Sequence, residues 1–272
     1  MNNDFLNTDP SIETTKITSF IKTVLKEQGF KNVVIGVSGG VDSAVSLSLV
    51  EKSIPPQNIF VAHLYYFKSQ INLVKPILNK LNIPQENIYN ISIKDAVDAL
   101  ENLAPLRPAF AKASAGGQGF GGARRTRLGN IMARVRMIIL YDLAKKHNSL
   151  VCGTENKSEF YLGYFTRFGD EASDFEPIQH LYKTQVYSLA KYLNIPQDII
   201  NQAPTAGLWV GQTDEKDFGF PYKEADSVLY LYFEKKESFA EIISKGFPNA
   251  KKIIDWANKN SFKHHLPYTI GP

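Results

Sequence analysis

The stretch VVIGVSGGVDSAVSLSLV, residues 33–50, constrains the fold more than any other part of the chain. Its β-branched start (Val33, Val34, Ile35, Val37) predicts a buried parallel strand, and Val41, Ala44, Val45, Leu47, Leu49 and Val50 supply the apolar positions of a following helix. The Ser38-Gly39-Gly40 turn between them gathers backbone N–H groups and the positive end of the helix around one small volume at the carboxyl edge of the sheet. Such a volume favours an anion. Glycines at 39 and 40 let the backbone approach an oxygen cluster, and the hydroxyls of Ser38 and Ser43 can donate to it.

The pattern departs from the G-x-x-x-x-G-K-[ST] loop, because no lysine follows and Asp42 brings a negative charge that repels a polyphosphate. A cation resolves the conflict: Mg²⁺ takes one or two carboxylates and completes its shell with phosphate oxygens. The alternative is that Asp42 only caps the helix, a role worth about 1 kcal/mol.

Strand-like runs at 33–37, 59–64, 88–93 and 149–152 alternate with helical patterns at 42–53, 70–82 and 129–147, after an N-terminal helix over 12–28. This order predicts an α/β fold, a doubly wound parallel sheet with flanking helices. From residue 183 onward the pattern is helical throughout, interrupted by Pro and Gly, and predicts a helical C-terminal elaboration. The 272 residues suit a single domain, 1–272. Residues 105–128, rich in Ala, Gly and basic side chains, read as a flexible insertion. Gly117, Gly119 and Gly122 have G-x-G-x-x-G spacing there, but without a preceding strand they make no dinucleotide fingerprint.

A net charge of +4 gives no signature of nucleic-acid binding. The polar start MNNDFLNTDP and the lack of any apolar run near 18 residues predict a soluble, cytoplasmic protein with no membrane partner. The single cysteine, Cys152, lies in a predicted strand among apolar neighbours and reads as a buried structural thiol. Neither zinc-site spacing nor a nucleophilic triad is recognisable.

Ser38-Gly39-Gly40-Val41-Asp42-Ser43 resembles the SGGxDS loop of the N-type ATP pyrophosphatases. Four further blocks, GNIMARVRMIILYDLA (129–144), GTENKSEFYLGYFTRFGDEASDFEPI (153–178), LYKTQVYSLAKYL (181–193) and QAPTAGLWVGQTDE (202–215), are similar in order and spacing to NAD synthetases, over most of residues 20–267. The resemblance implies an adenine nucleotide alpha hydrolase-like fold. It also implies ATP-dependent amidation of nicotinic acid adenine dinucleotide by ammonia, through an adenylated intermediate, with release of AMP and pyrophosphate.

By the same resemblance, Asp42 and Glu159 hold Mg²⁺, and Gly36, Ser38, Gly39, Gly40, Ser43, Thr154, Lys183 and Thr205 contact ATP. Asn130, Arg134 and Tyr141, which share a helix face, bind the dinucleotide with Asp170, Asp174 and Lys263. Asp170 stands on the substrate or metal side. Lys183 opens a predicted helix, where a cation opposes the dipole unless an anion is near.

Plainer roles stay open for several of these residues: helix capping or surface for Glu159, turn acids for Asp170 and Asp174, and a solvated face for Arg136 and Arg127. Where the family has a histidine before the lysine matching Lys263, this chain has Phe262, and after the second strand it reads HLYYFKSQ without the family's proline. The family is homodimeric. Its glutamine-using members carry a separate amidase domain for which this chain has no room ahead of residue 33, so ammonia is the expected nitrogen donor. Competing readings are another adenylating ATP pyrophosphatase, active in tRNA modification or sulfur transfer, and a noncatalytic nucleotide-binding module of the same fold.

Overall fold

The computed structural model describes residues 6–103, 119–265 and 270. Four parallel strands, β1 (Asn32–Gly36), β2 (Ile59–Tyr65), β3 (Ile88–Ser92) and β4 (Ser149–Cys152), form one sheet in the order β3-β2-β1-β4. The order reverses between β1 and its two neighbours, so the carboxyl ends of β1 and β4 flank a crevice.

Strand alternation decides which residues meet which layer. Val33 and Ile35 join Ile59, Val61, Leu150 and Cys152 in a core with helices α1 (Pro10–Gln28), α2 (Val41–Glu51) and α3 (Ile71–Lys80). Val34 points the other way with Ala62, Leu64 and Val151 toward Met132, Val135 and Leu143 of the long helix α5 (Gly119–His147). Both faces are covered, as a parallel sheet requires. Each of these fully buried aliphatic side chains contributes about 1.5–3 kcal/mol over an exposed one.

Two differences from the sequence reading appear. Lys94–Leu103 forms a helix, α4, that the sequence reading leaves out although Val97, Leu100 and Leu103 recur at helical spacing; only Val97 of them is buried. Helix α5 begins at Gly119, ten positions ahead of the expected 129, so Gly119 and Gly122 are helical. The remainder of the expected insertion, 105–118 with Gly117, lies outside the described residues.

Beyond the sheet, α6 (Lys157–Leu162), α7 (Lys183–Tyr192), α8 (Gln197–Ile200), α9 (Asp214–Phe218), α10 (Tyr222–Leu229), α11 (Phe239–Ser244) and α12 (Ala250–Asn260) complete the chain. Helix α10 runs on into a π turn at Tyr230–Glu234. A separate apolar cluster, including Phe218, Tyr222, Val228, Leu229 and Ile253, joins these helices and carries Leu162 and Tyr182. The C-terminal elaboration is thus packed against α6 and α7, the two helices that border the crevice. Among the described residues, no helix is long and apolar enough to cross a membrane.

Candidate active site

The turn after β1 follows the expected plan. Gly39 adopts φ +98°, and a Cβ there would lie 3.3 Å from Leu73 of α3, so both conformation and space favour glycine. Gly40 precedes α2 as its N-cap with no side-chain cap, leaving the first N–H groups of that helix without a side-chain acceptor. The hydroxyls bond within the turn: Gly40 N–H donates to Ser38 Oγ at 3.2 Å, and Ser43 Oγ donates to Gly40 O at 3.0 Å. Gly36 ends β1, where a Cβ would stand 3.4 Å from Leu140 of α5.

Asp42 does not cap α2. Its Oδ2 lies 2.5 Å from Lys183 Nζ, and its Oδ1 accepts from Asn156 Nδ2 at 3.0 Å. Lys183 Nζ also donates to Glu159 Oε1 at 3.2 Å, so both carboxylates converge on one nitrogen. Glu159 combines the two roles that its sequence leaves open. Its Oε2 accepts from Asn156 N–H while Asn156 Oδ1 accepts from Glu159 N–H, a capping box at the start of α6, and Oε1 is turned to the lysine.

Lys183 is 2% exposed. Burial works against its charge, but Asp42, Glu159 and Asp214 outweigh burial and hold the ammonium protonated far above the usual range. Burial likewise raises the Glu159 carboxyl, with Lys183 pulling it back. The lysine is also fixed from behind: its backbone N–H donates to Ser158 Oγ at 2.8 Å, and the next N–H, Thr184, donates to Asp226 Oδ2 at 2.8 Å. Asp226 is the anion that relieves a cation at the N-terminus of α7. Burial raises its carboxyl to about 6 despite the bond from Ser158.

Asp214 and Tyr222 close one side. The Tyr222 ring lies 5.2 Å from Lys183 Nζ, and its hydroxyl donates to Asp214 Oδ2 at 3.0 Å. Asp214 Oδ1 accepts from Ala206 N–H at 3.1 Å, anchoring the loop that carries Thr205. Thr205 itself is exposed and accepts from Gly207 N–H. Thr154, half-buried, follows β4 at the same edge as the turn.

The expected face of α5 does point to the loop after α6. Asn130 Oδ1 accepts from Thr166 Oγ1 at 2.9 Å, Arg134 donates to Arg167 O at 3.2 Å, and burial followed by the charge of Asp174 pushes the Tyr141 hydroxyl up to about 12. Asp170 Oδ1 accepts from Thr166 N–H at 3.0 Å. Asp174 acts in the framework, since its Oδ2 accepts from Val151 N–H at 2.7 Å and its own N–H donates to Val151 O at 2.9 Å. Lys263 Nζ donates to Gly163 O and Phe165 O at 2.6 and 2.9 Å. Arg136 departs from the solvated face expected of it: burial lowers its guanidinium, and Nε donates to Leu64 O at 3.1 Å at the end of β2.

Asn156, Ser158, Asp214 and Asp226 are site residues that the sequence reading leaves out. Only Asn156 carries a local signal, the N-x-x-E capping box ahead of an apolar run. Cys152 is 2% exposed and burial raises its thiol, in keeping with a structural role.

A glycine turn at a topological switch point, with acids from two strand ends meeting over it, defines a nucleotide-handling α/β protein of the adenine nucleotide alpha hydrolase-like class. Residues 13–267 match the family model of NAD synthase. Over 272 residues the chain is 35% identical to the NH(3)-dependent NAD(+) synthetase of Chlorobium phaeobacteroides (strain BS1), covering 98% of this chain and 91% of the relative. Among solved structures, the NMN synthetase of Francisella tularensis superposes with TM-score 0.76 at 32% identity, covering 98% of this chain and all of that one. The NH3-dependent NAD synthetase of Campylobacter jejuni, in complex with the nitrate ion, gives TM-score 0.75 at 28% identity, over 97% of this chain and all of that one. The chain belongs to the NAD synthase family.

Proposed function

We propose that this chain amidates nicotinic acid adenine dinucleotide with ammonia to give NAD, consuming ATP and releasing AMP and pyrophosphate. The observation that carries the reading is the meeting of Asp42 and Glu159 on Lys183 Nζ beside the Ser38–Ser43 turn, in a chain of this family.

Two carboxylates give the hard oxygen donors that Mg²⁺ takes when phosphates complete its shell. Among the described residues, no group of three or more His, Cys, Asp or Glu forms a metal site, so phosphate oxygens would supply the remaining ligands. Asp42 and Glu159 would hold the ion, which supplies charge neutralisation at the phosphates. The free N–H groups at the start of α2, with Ser38 and Ser43, would take the departing pyrophosphate, and Lys183 would turn from its carboxylates to a phosphate.

Thr154 and the loop of Thr205 would border the nucleotide. The nicotinate carboxylate attacks the α-phosphorus, pyrophosphate leaves, and ammonia then attacks the acyl carbon and expels AMP. No protein nucleophile is needed; the residues act by position and charge. Asn130, Arg134, Tyr141 and Asp170 would receive the acid substrate, with Lys263 holding the turn beneath it and Asp174 holding β4.

The likeness to the Francisella tularensis NMN synthetase favours a second reading, in which the acid amidated is the mononucleotide. We place the chain in the cytoplasm as a homodimer of single-domain subunits. Ile138, 58% exposed on α5, is an apolar side chain available to the partner.

The test is to incubate the purified protein with ATP and Mg²⁺, supplying the dinucleotide or the mononucleotide acid, and ammonium or glutamine. NAD and AMP form from the dinucleotide with ammonium alone. Product from the mononucleotide only shifts the assignment to the second reading, and no AMP from either acid overturns both.

A further inference from the structure

Behind Thr154 lies a second pair of acids that the proposed chemistry leaves unused. Glu155 is 6% exposed, and its Oε1 is buried with no hydrogen-bond partner. Its Oε2 accepts from Gln179 Nε2 at 3.0 Å. Glu176 is bound to the same backbone, since its Oε2 accepts from Glu155 N–H at 3.0 Å while Ser173 Oγ donates to its Oε1 at 2.8 Å. The chain makes room for it at Gly153, where a Cβ would stand 1.7 Å from Glu176 Oε1.

No described Lys, Arg or His forms an ion pair with either acid. Lys263, the cation whose charge reaches Glu155, is committed to Gly163 O and Phe165 O. Glu159 and Asp170 add further negative potential, and Cys152 on the strand below is an uncharged thiol. A buried carboxyl oxygen with no donor is costly to leave bare, and once the pair gives up a proton a small monovalent cation satisfies both the charge and the vacant lone pairs.

We propose that Glu155 and Glu176 form a binding station for ammonium, holding the nitrogen substrate one residue from Thr154 and releasing it as ammonia to the acyl carbon. The inference rests on the ammonia-dependent reading above. An ion that donates hydrogen bonds in four directions suits an orphan acceptor better than a divalent metal, for which two carboxylates and one amide are too few ligands. On release, one N–H bond of ammonium breaks and its proton passes to a Glu155 oxygen. The electron pair stays on nitrogen as the lone pair of ammonia.

The acids are tuned for this. Burial, followed by the charge of Glu176, raises Glu155 to about 9, and burial raises Glu176 to about 8. A base in that range is matched to ammonium. In the free protein the pair holds protons near neutrality, and a cation takes the place of one, so cation binding strengthens with rising pH.

The experiment has two arms. Steady-state kinetics of the full chain with Glu155→Gln and Glu176→Gln should raise KM for ammonium at least about tenfold, the scale of a lost charge-assisted contact, with KM for ATP little changed; Glu155→Asp should recover part of the loss. In the second arm, crystals of the wild-type protein are soaked in thallium(I), an ammonium mimic that does not titrate. An anomalous peak between the two carboxyl groups, stronger at pH 8.5 than at pH 6.5, supports the station.

An unchanged KM for ammonium in both Gln variants overturns it, even with thallium bound, because the site then houses a resident potassium-like ion. Absence of the peak at both pH values also overturns it. Should the wild-type protein make no product with ammonium, the functional reading fails separately, and the thallium arm decides whether a cation site exists.

Discussion

Asn156 donates its side-chain amide to Asp42 at 3.0 Å and accepts Glu159 N–H at 3.0 Å, so one residue ties the first turns of α2 and α6 together across the crevice. The two acids keep their common direction through it. Asn156→Ala removes a cap and a tether, and should lower stability by about 1–2 kcal/mol in urea denaturation. The same variant should need more Mg²⁺ for half-maximal AMP formation, because Asp42 and Glu159 are no longer held toward one point.

Removing Lys183 leaves its acids facing each other without a cation. Lys183→Met should cost about 3 kcal/mol in the presence of a chelator, the lower end for breaking a buried pair, since Asp42 and Glu159 are 16% and 17% exposed. Added Mg²⁺ should restore part of that stability in the variant and less in the wild type. Thermal melts with and without EDTA report the difference.

Gly153 is fixed by what presses on it. A methyl group there meets the Glu176 carboxylate, which must give way, so Gly153→Ala should destabilise by about 1–3 kcal/mol. Glu176→Ala in the same chain should recover much of the loss. Strict additivity of the two changes in denaturant midpoints would contradict the contact.

His63 couples the turn after β1 to the start of α3. Gln70 N–H donates to Nε2 at 3.0 Å, which leaves the proton on Nδ1 to donate to Val37 O at 2.8 Å. Burial lowers its pKa, opposed by the Val37 bond and aided by the charge of Arg136. With the folded value below the unfolded 6.5, its contribution to stability is present above pH 6.5 and is lost as pH falls through the folded value. Stability measured between pH 7 and pH 5 should fall less steeply in His63→Leu than in the wild type, and the His63 ring resonance should titrate below 6.5.

What the sequence discloses and what it hides follow one physical line. The junction at 33–50 is legible because strand, turn and helix are contiguous, and each imposes its own periodicity. Strand order and the carboxyl edge follow from that alternation. Helix α4 is within reach, since Ile93, Val97 and Leu100 follow i, i+4, i+7 directly after the third strand, whereas the early start of α5 is hidden because Gly, Ala and Arg carry no apolar rhythm.

The acid–lysine meeting joins positions 42, 159 and 183, which spacing alone cannot bring together; the family resemblance puts the two acids on one metal and the lysine on ATP, and the pairing of the lysine with both acids comes from the fold. The supports of Lys183 escape even that. Ser158 and Asp226 are unremarkable until folding places an α10 carboxylate at the end of α7. Arg134 and Arg136 differ by two positions on one helix, and that rotation alone sends one to Arg167 O and the other to Leu64 O.

The lysine between Asp42 and Glu159 also governs the order in which ligands gain a foothold. On the proposed reading, Lys183 already neutralises Asp42 and Glu159, so these acids would offer a bare divalent ion little net charge. If phosphates came with the ion, the Lys183 side chain would have their oxygens to turn to when it left the two carboxylates. The lysine would thus favour the nucleotide–metal complex over the bare ion.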